Sequence, residues 1–320
     1  MEERNKIAVS DLFILVGFSS LGEKLKIFLF LVLLFINLIT ITRNVVIIFI
    51  VWVNPRLHSP MYFFIANLSF LETWFTSVTS PKLMLNFLSI SLTISFHGCI
   101  AQSSFYFALG GTELAFLVVM SFDCYVAICH PLQYAIIMEQ RFCIQLVLGT
   151  WVGGFMVMSL RMLLFSKLSF CGPNVINHFF CDNTPLFLLS CSDTSEVRRV
   201  DSILISTLVL SSLGLTMLSY VSILFSILRI PMATGRQKAF ATCGSHLTPL
   251  AIAYGSCIVL DARPSGSFSL DVNKGVALLN TVLYPFLNPF IYSLRNKTVK
   301  LVLSLGETFR LDTEKLLPDL

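Results

Sequence analysis

Seven stretches of this chain stay apolar for the roughly 20 residues that a helix needs to cross a bilayer: residues 27–53, 60–81, 99–128, 142–162, 202–228, 239–260 and 272–294. The second and the seventh carry more polar residues than the rest. All seven are read as spanning helices, because any other placement leaves long apolar runs in water. Short connections at 54–59 and 130–141 predict antiparallel neighbours, and residues 163–201 form the longest link. After the seventh stretch, residues 296–310 set Val299, Leu303 and Phe309 among charges, the pattern of a helix lying along a membrane surface. The expected fold is therefore an all-α membrane protein, a seven-transmembrane helix bundle with a short amphipathic C-terminal helix. Its expected divisions are an outer tail (1–26), the bundle (27–294) and an inner tail (295–320).

Composition agrees. Only 12% of residues are charged and 55% are hydrophobic, with 29 phenylalanines. A soluble surface draws on about 25% charged residues, so lipid is the solvent this supply fits. A net charge of +4 without a basic stripe gives no sign of nucleic acid. Residues 1–26 alternate charges with one short apolar run, 12–18, and show no cleavage pattern, so the first long apolar stretch is expected to act as the insertion signal.

Seven spans put the termini on opposite sides. Lysine and arginine do not say which is which, since ten lie toward each face. Cysteines do. Cys99, Cys171, Cys181 and Cys191 cluster on the N-terminal face, whereas Cys124, Cys129, Cys143, Cys243 and Cys257 lie in spans or toward the other face. Clustered loop cysteines indicate disulfides, which persist in oxidising compartments. The N-terminal face is thus expected outside, with three pairings of the four cysteines open.

Catalytic signatures are missing. His58, His97, His130, His178 and His246 have no metal-ligand spacing, no serine sits in G-x-S-x-G, and no phosphate-cradling glycine loop occurs. The chain is not expected to be an enzyme.

The inner ends of the spans carry a specific set of strings. Pro60-Met61-Tyr62-Phe63-Phe64 opens the second, with Leu68-Ser69 and Glu72 following; Met120 to Cys129 (MSFDCYVAIC) closes the third. Ser219-Tyr220 lies in the fifth, and Lys238 to Cys243 (KAFATC) with Ser245-His246-Leu247 in the sixth. Pro285 to Asn296 (PFLNPFIYSLRN) ends the seventh. In this set and order the chain resembles the vertebrate olfactory receptor family, within the rhodopsin-like G-protein-coupled receptors.

That resemblance implies a small odorant ligand, a stimulatory olfactory G protein as partner, a rise in cyclic AMP, and a plasma-membrane location. It implies the bridges Cys99–Cys181 and Cys171–Cys191. It implies a polar cavity built from Glu72, Glu113, Asn44 and Asn288 that holds a sodium ion; the bland alternative is two neutral, hydrogen-bonded acids. It also implies a G-protein-coupling switch formed by Asp123, Cys124, Tyr125, Tyr220, Asn288, Pro289 and Tyr292. Pro289 removes a backbone hydrogen bond, so that helix deforms at low cost. A pocket is expected between the outer halves of the third, fifth and sixth spans. Its lining would be Tyr106, Phe107, Gly110 and Gly111; Leu204, Ile205 and Leu208; and Tyr254, Cys257, Ile258 and Asp261, the last four at i, i+3, i+4 and i+7. Arg161, Arg263 and Asp261 are charges that either meet a polar ligand end or reach water at the pocket mouth.

Three positions depart from the family. Residue 124 is cysteine in place of the arginine of an Asp-Arg-Tyr string, and cysteine can neither pair with Asp123 nor offer a fork of donors. Residue 43 is arginine in place of glycine, a charge that costs about 2.5–3.5 kcal/mol if it lies centrally. The N-terminal tail has no glycosylation sequon; Asn67-Leu68-Ser69 lies within a span and Asn296-Lys297-Thr298 on the inner side. Together they raise the alternative of a chemoreceptor remnant that binds without coupling. A transporter or channel is the other rival, against which stands the absence of paired repeats.

Overall fold

A computed structural model describes residues 12–18, 21–88, 92–170, 174–229, 247, 250–257 and 274–293, without the side chains of 56, 184 and 289–293. Five long helices match five expected spans: α1 (Glu23–Val53), α2 (Pro60–Phe87), α3 (Phe96–Cys129), α5 (Gln140–Ser166) and α7 (Ser195–Leu228). A single turn, α4 (Tyr134–Ile137), lies between α3 and α5. Residues 250–257 of the sixth stretch are helical. The seventh begins as a helix at 274–278, widens into a π-helical segment, Leu279–Leu283, and ends as α8 (Tyr284–Ser293). The amphipathic tail at 296–310 lies outside the described residues.

Among the described residues, α1, α3, α5 and α7 are each long and apolar enough to cross a membrane. Their outer faces make the stronger case. On α1, Phe28, Leu31, Phe35, Leu38, Phe49 and Trp52 are exposed, while Asn37 and Asn44 are buried. Apolar side chains outside with polar ones inside invert the soluble pattern, and only lipid makes that arrangement favourable. Interior hydroxyls and amides turn back on their own helix: Asn37 donates to the Leu33 carbonyl at 2.7 Å, Thr40 to Ile36 at 2.8 Å and Thr79 to Phe75 at 2.9 Å.

α3 is the central helix, packed against α2, α5 and α7. Its approach to α5 depends on Gly154, where a Cβ would run into the Thr112 side chain.

The end of the bundle that carries the N-terminal strand is more ordered than the apolar pattern foretold. A three-stranded sheet forms there, with β1 (Leu12–Leu15) in the middle, antiparallel to β2 (Thr93–Ser95) and parallel to β3 (Val175–Ile176). Phe13 and Leu15 are buried while Leu12 is exposed, the period-two pattern of a half-buried strand. Gly17 follows with φ +48°, and a Cβ there would lie 2.5 Å from the Asn86 Oδ1. Asn86 donates to the Leu15 carbonyl at 2.8 Å. This anchoring explains why α2 continues past Pro81 to Phe87, beyond the expected end of the second span: one lost backbone bond is offset by packing of Leu83, Asn86 and Phe87. The buried Lys274 closes the cap, donating to the Gly17 carbonyl at 3.2 Å and to Asn177 Oδ1 at 2.9 Å. The link expected to be loop from 163 to 201 is largely structured: α5 runs to Ser166, α6 (Asn183–Leu189) lies within it, and α7 begins at Ser195.

Candidate functional site

A cavity of about 480 Å³ lies beneath the α5–α7 link. It is walled by α3, α5, α7, the 250–257 helix and the seventh segment. Most of the expected residues line it: Tyr106, Phe107, Gly110 and Gly111 from α3, Leu204, Ile205 and Leu208 from α7, and Cys257. Glycines at 110 and 111 leave space: a Cβ on Gly110 would meet nothing within 4 Å, and one on Gly111 only the Leu208 Cδ1 at 3.7 Å. Tyr254 departs from expectation. It packs with Leu114, Leu117, Val209 and Tyr284, off the cavity lining, and shares its hydroxyl with Thr216 at 3.2 Å. Ile258, Asp261 and Arg263 lie outside the described residues.

The roof was not legible from the spans. Phe180 and His178 of the link line the cavity, with the Phe180 ring centroid 4.7 Å from that of Tyr106. The bridge Cys99–Cys181, with Cα atoms 5.4 Å apart, ties this roof to the top of α3. Gln102 Oε1 adds to the tie, accepting from the Cys181 N–H at 3.4 Å. Cys191 is also disulfide-bonded; Cys171, its expected partner, lies outside the described residues.

Arg161 is not a charge reaching water. It is 1% exposed, on the cavity wall, paired with Asp201 at the head of α7. Its Nη2 donates to Asn183 Oδ1 at 2.7 Å, and Asn183 Nδ2 donates to Asp201 Oδ2 at 2.7 Å. Ser103 donates to the same Asn183 oxygen at 3.2 Å. The guanidinium lies 4.1 Å from the Phe107 ring centroid. A charge in an apolar span demands a partner, and Asp201 was the signal in the sequence; removing either member of so buried a pair costs about 3–5 kcal/mol.

Deeper in the bundle, Asn288 donates to Glu72, which is 1% exposed. Glu113 also faces the cavity, and its charge acts on Glu72. One Glu113 oxygen, Oε1, and the Asn288 Oδ1 are buried with no partner among the described residues. Such an oxygen-only set fits a hard cation. Asn44, the fourth residue expected at this site, is buried, and its Nδ2 has no partner among the described residues.

At the opposite end of the bundle from the sheet, Tyr134 donates to Asp123 Oδ1 at 2.8 Å. Cys124, 2% exposed, packs with Ile223 and Ile227 of α7 and with Tyr220 and Tyr125. Tyr125 shares a hydrogen bond with His130 at 3.2 Å, and Cys129 Sγ lies 3.0 Å from the Ser226 hydroxyl. Pro289 and Tyr292 belong to α8, with their side chains outside the described ones.

Comparison with known proteins completes the picture. The family model described as "Olfactory receptor" matches residues 33–305. The chain belongs to the olfactory receptor family. It is 44% identical over 304 residues to Olfactory receptor 226 of Rattus norvegicus, covering 94% of this receptor and 93% of that one. It is 47% identical to Olfactory receptor 6F1 of Homo sapiens over 300 residues, 94% and 97% of the two chains. The crystal structure of squid rhodopsin shares its fold with a TM-score of 0.66 at 14% identity, covering 92% of the receptor and 90% of that chain. The receptor is thus a seven-transmembrane bundle of the rhodopsin-like class, a multi-pass membrane protein that senses odorants through a G protein and is not an enzyme.

Proposed function

We propose that this receptor binds small, mostly apolar volatile molecules in the cavity beneath the α5–α7 link and activates a stimulatory olfactory G protein, raising cyclic AMP. The observation that carries the reading is the cavity itself, a space of about 480 Å³ bordered by Phe107, Leu114, Ile205 and Leu208. Largely apolar pockets of this size suit small ligands. Burying about 250 Å² of apolar ligand surface yields about 6 kcal/mol. Association costs at least about 4 kcal/mol, so an apolar body alone is held weakly. That weakness fits a sensor whose ligands must leave.

The same reading places residues 1–26 outside the cell and residues 295–320 in the cytosol, with surrounding lipid as a further partner. The oxidised Cys99, Cys181 and Cys191 on the N-terminal face support this orientation. The switch residues Asp123, Cys124, Tyr125, Tyr220, Asn288, Pro289 and Tyr292 then face or approach the cytosol. Glu72, Glu113, Asn44 and Asn288 would hold a sodium ion, supplying charge balance to two acids in one polar pocket. A non-coupling remnant is the second reading, favoured by Cys124: an apolar contact with α7 occupies the place of a cation.

A volatile panel read by cyclic AMP, in cells with confirmed surface display, tests the proposal on the unaltered chain and on Cys124→Arg. A dose-dependent rise in either supports ligand-driven coupling. Silence of both at full display contradicts it, and a ligand-gated current without G protein would transfer the chain to the channel class.

A further inference from the structure

The cavity wall contributed by α7 carries two hydroxyls that bond to nothing around them. Ser202 and Ser206 both line the cavity, and neither makes a hydrogen bond among the described residues. Further along the same helix, Ser211, Ser212, Ser219 and Ser222 each donate to a carbonyl about one turn back, at 2.9–3.3 Å. That is how a serine in an apolar span satisfies itself. Ser256, a third serine on the cavity wall, does the same with the Ile252 carbonyl at 2.7 Å. Ser202 is exposed and Ser206 half-buried, so a molecule in the cavity reaches both side chains.

Their spacing selects a ligand group. Four residues apart on a helix, the two Cβ atoms lie about 5–6 Å from each other on one side. One oxygen set between them, with O–H···O distances of about 2.7–2.8 Å, meets both hydroxyls. Each serine both gives a proton and takes one, and the group that answers such a pair in kind is another hydroxyl. Ile205 and Val209 continue the same face of α7, and Leu114 and Ala253 cluster with Val209 on the cavity wall. They form an apolar track for the rest of the molecule. Arg198, one turn before Ser202, is exposed at the rim with its guanidinium 5.3 Å from the Phe187 ring centroid. An ion pair exposed to water is worth little, so a charged ligand head gains little there. A hydrocarbon filling the cavity strips water from both serines and replaces none of its bonds, whereas an alcohol restores them.

We propose that Ser202 and Ser206 are specificity-determining residues that hold the hydroxyl of an aliphatic alcohol between them, with its chain along Ile205 and Val209. This deepens the proposed ligand cavity and rests on it.

The test uses the full-length receptor in lipid nanodiscs. A medium-chain linear alcohol, its methyl ether, and the alkane and carboxylic acid of matched length are titrated against thermal unfolding, a readout independent of the G protein. Each compound is compared with itself across receptor variants, so that its partition into lipid cancels. In Ser206→Ala, and separately in Ser202→Ala, equal protection should need about fivefold more alcohol, the ratio given by one net hydrogen bond, while the alkane shifts by less than about twofold. Ser206→Thr keeps the hydroxyl and should keep the alcohol within about twofold of the unaltered receptor. The ether has no proton to return and should lose less than the alcohol in both alanine variants. Equal losses for alcohol and alkane, no loss in either alanine variant, or an ether that loses as much as the alcohol overturns the proposal and leaves the cavity reading intact. So does an acid that protects the unaltered receptor best. The two alanine variants report separately, so one that fails to fold leaves the other to decide. Protection of the unaltered receptor by no compound overturns both this proposal and the ligand cavity.

Discussion

Tyr134 donates its hydroxyl to Asp123 across 2.8 Å, joining the turn after α3 to the C-terminal end of α3 itself. Asp123 is 2% exposed, so this donor helps to replace the water it has lost. Burial first, and the nearby Asp123 second, hold the Tyr134 phenol above its ordinary range. The donor is therefore present throughout neutral pH. A raised pKa contributes stability that is full below the unfolded value, about 10, and declines only as pH rises beyond it. Tyr134→Phe should lower stability by about 1–3 kcal/mol, whereas Asp123→Asn, which retains an accepting oxygen, should lose less. Thermal unfolding of the two purified variants compares them, and equal losses would contradict the pairing.

Cys124 sits one residue on, sealed among Ile223, Ile227 and Tyr220. Cys124→Arg should enlarge the agonist-evoked cyclic AMP rise at equal surface display, because the fork of donors returns to the inner face. No gain over the unaltered receptor would show that this position does not limit coupling.

The α3–α5 contact makes a contrast between two glycines. Gly154→Ala drives a methyl into Thr112, and overpacking of this kind costs about 1–3 kcal/mol. Gly153→Ala meets nothing within 4 Å and should be neutral or slightly stabilising. Surface yield and thermal unfolding should separate them, with Gly154→Ala the weaker.

Loss of the Cys99–Cys181 bridge should release the roof of the cavity. Cys99→Ser is expected to cost about 2–5 kcal/mol and to weaken volatile responses, measured as surface display and agonist potency together. Cys257, a cysteine on the cavity wall that forms no disulfide, should tolerate serine without loss of display.

Sodium is expected to act through Glu72, Glu113 and Asn288. Raising sodium against choline at constant ionic strength should shift agonist potency in the unaltered receptor and not in Glu113→Gln. Unchanged potency in the unaltered receptor would leave the two acids as a hydrogen-bonded pair without an ion.

How much of this was legible in the sequence varies with the range of the forces involved. α1, α3, α5 and α7 were readable because a run of apolar residues depends on lipid alone and needs no tertiary partner. Pro81 misplaced the end of α2, since the packing that overrides it comes from Leu15 and Gly17, some seventy residues away. The sheet at Leu12–Leu15 was hidden for the same reason: a four-residue strand acquires its meaning only from Thr93–Ser95 and Val175–Ile176. In the cavity, the glycines of α3 and the aliphatics of α7 came with the family resemblance, but Phe180, His178 and Asn183 lie in a link without periodicity. Arg161 was visible as a charge, and its role became clear only with Asp201 across from it.

Gly110 offers the most direct test of the central claim, because it borders the cavity and a Cβ there meets no neighbouring atom within 4 Å. Gly110→Leu should fill the space without disturbing the fold. With a volatile that activates the receptor, or its Cys124→Arg form, the account predicts a loss of potency of about tenfold or more at unchanged surface display. Unchanged potency in the filled variant would contradict it.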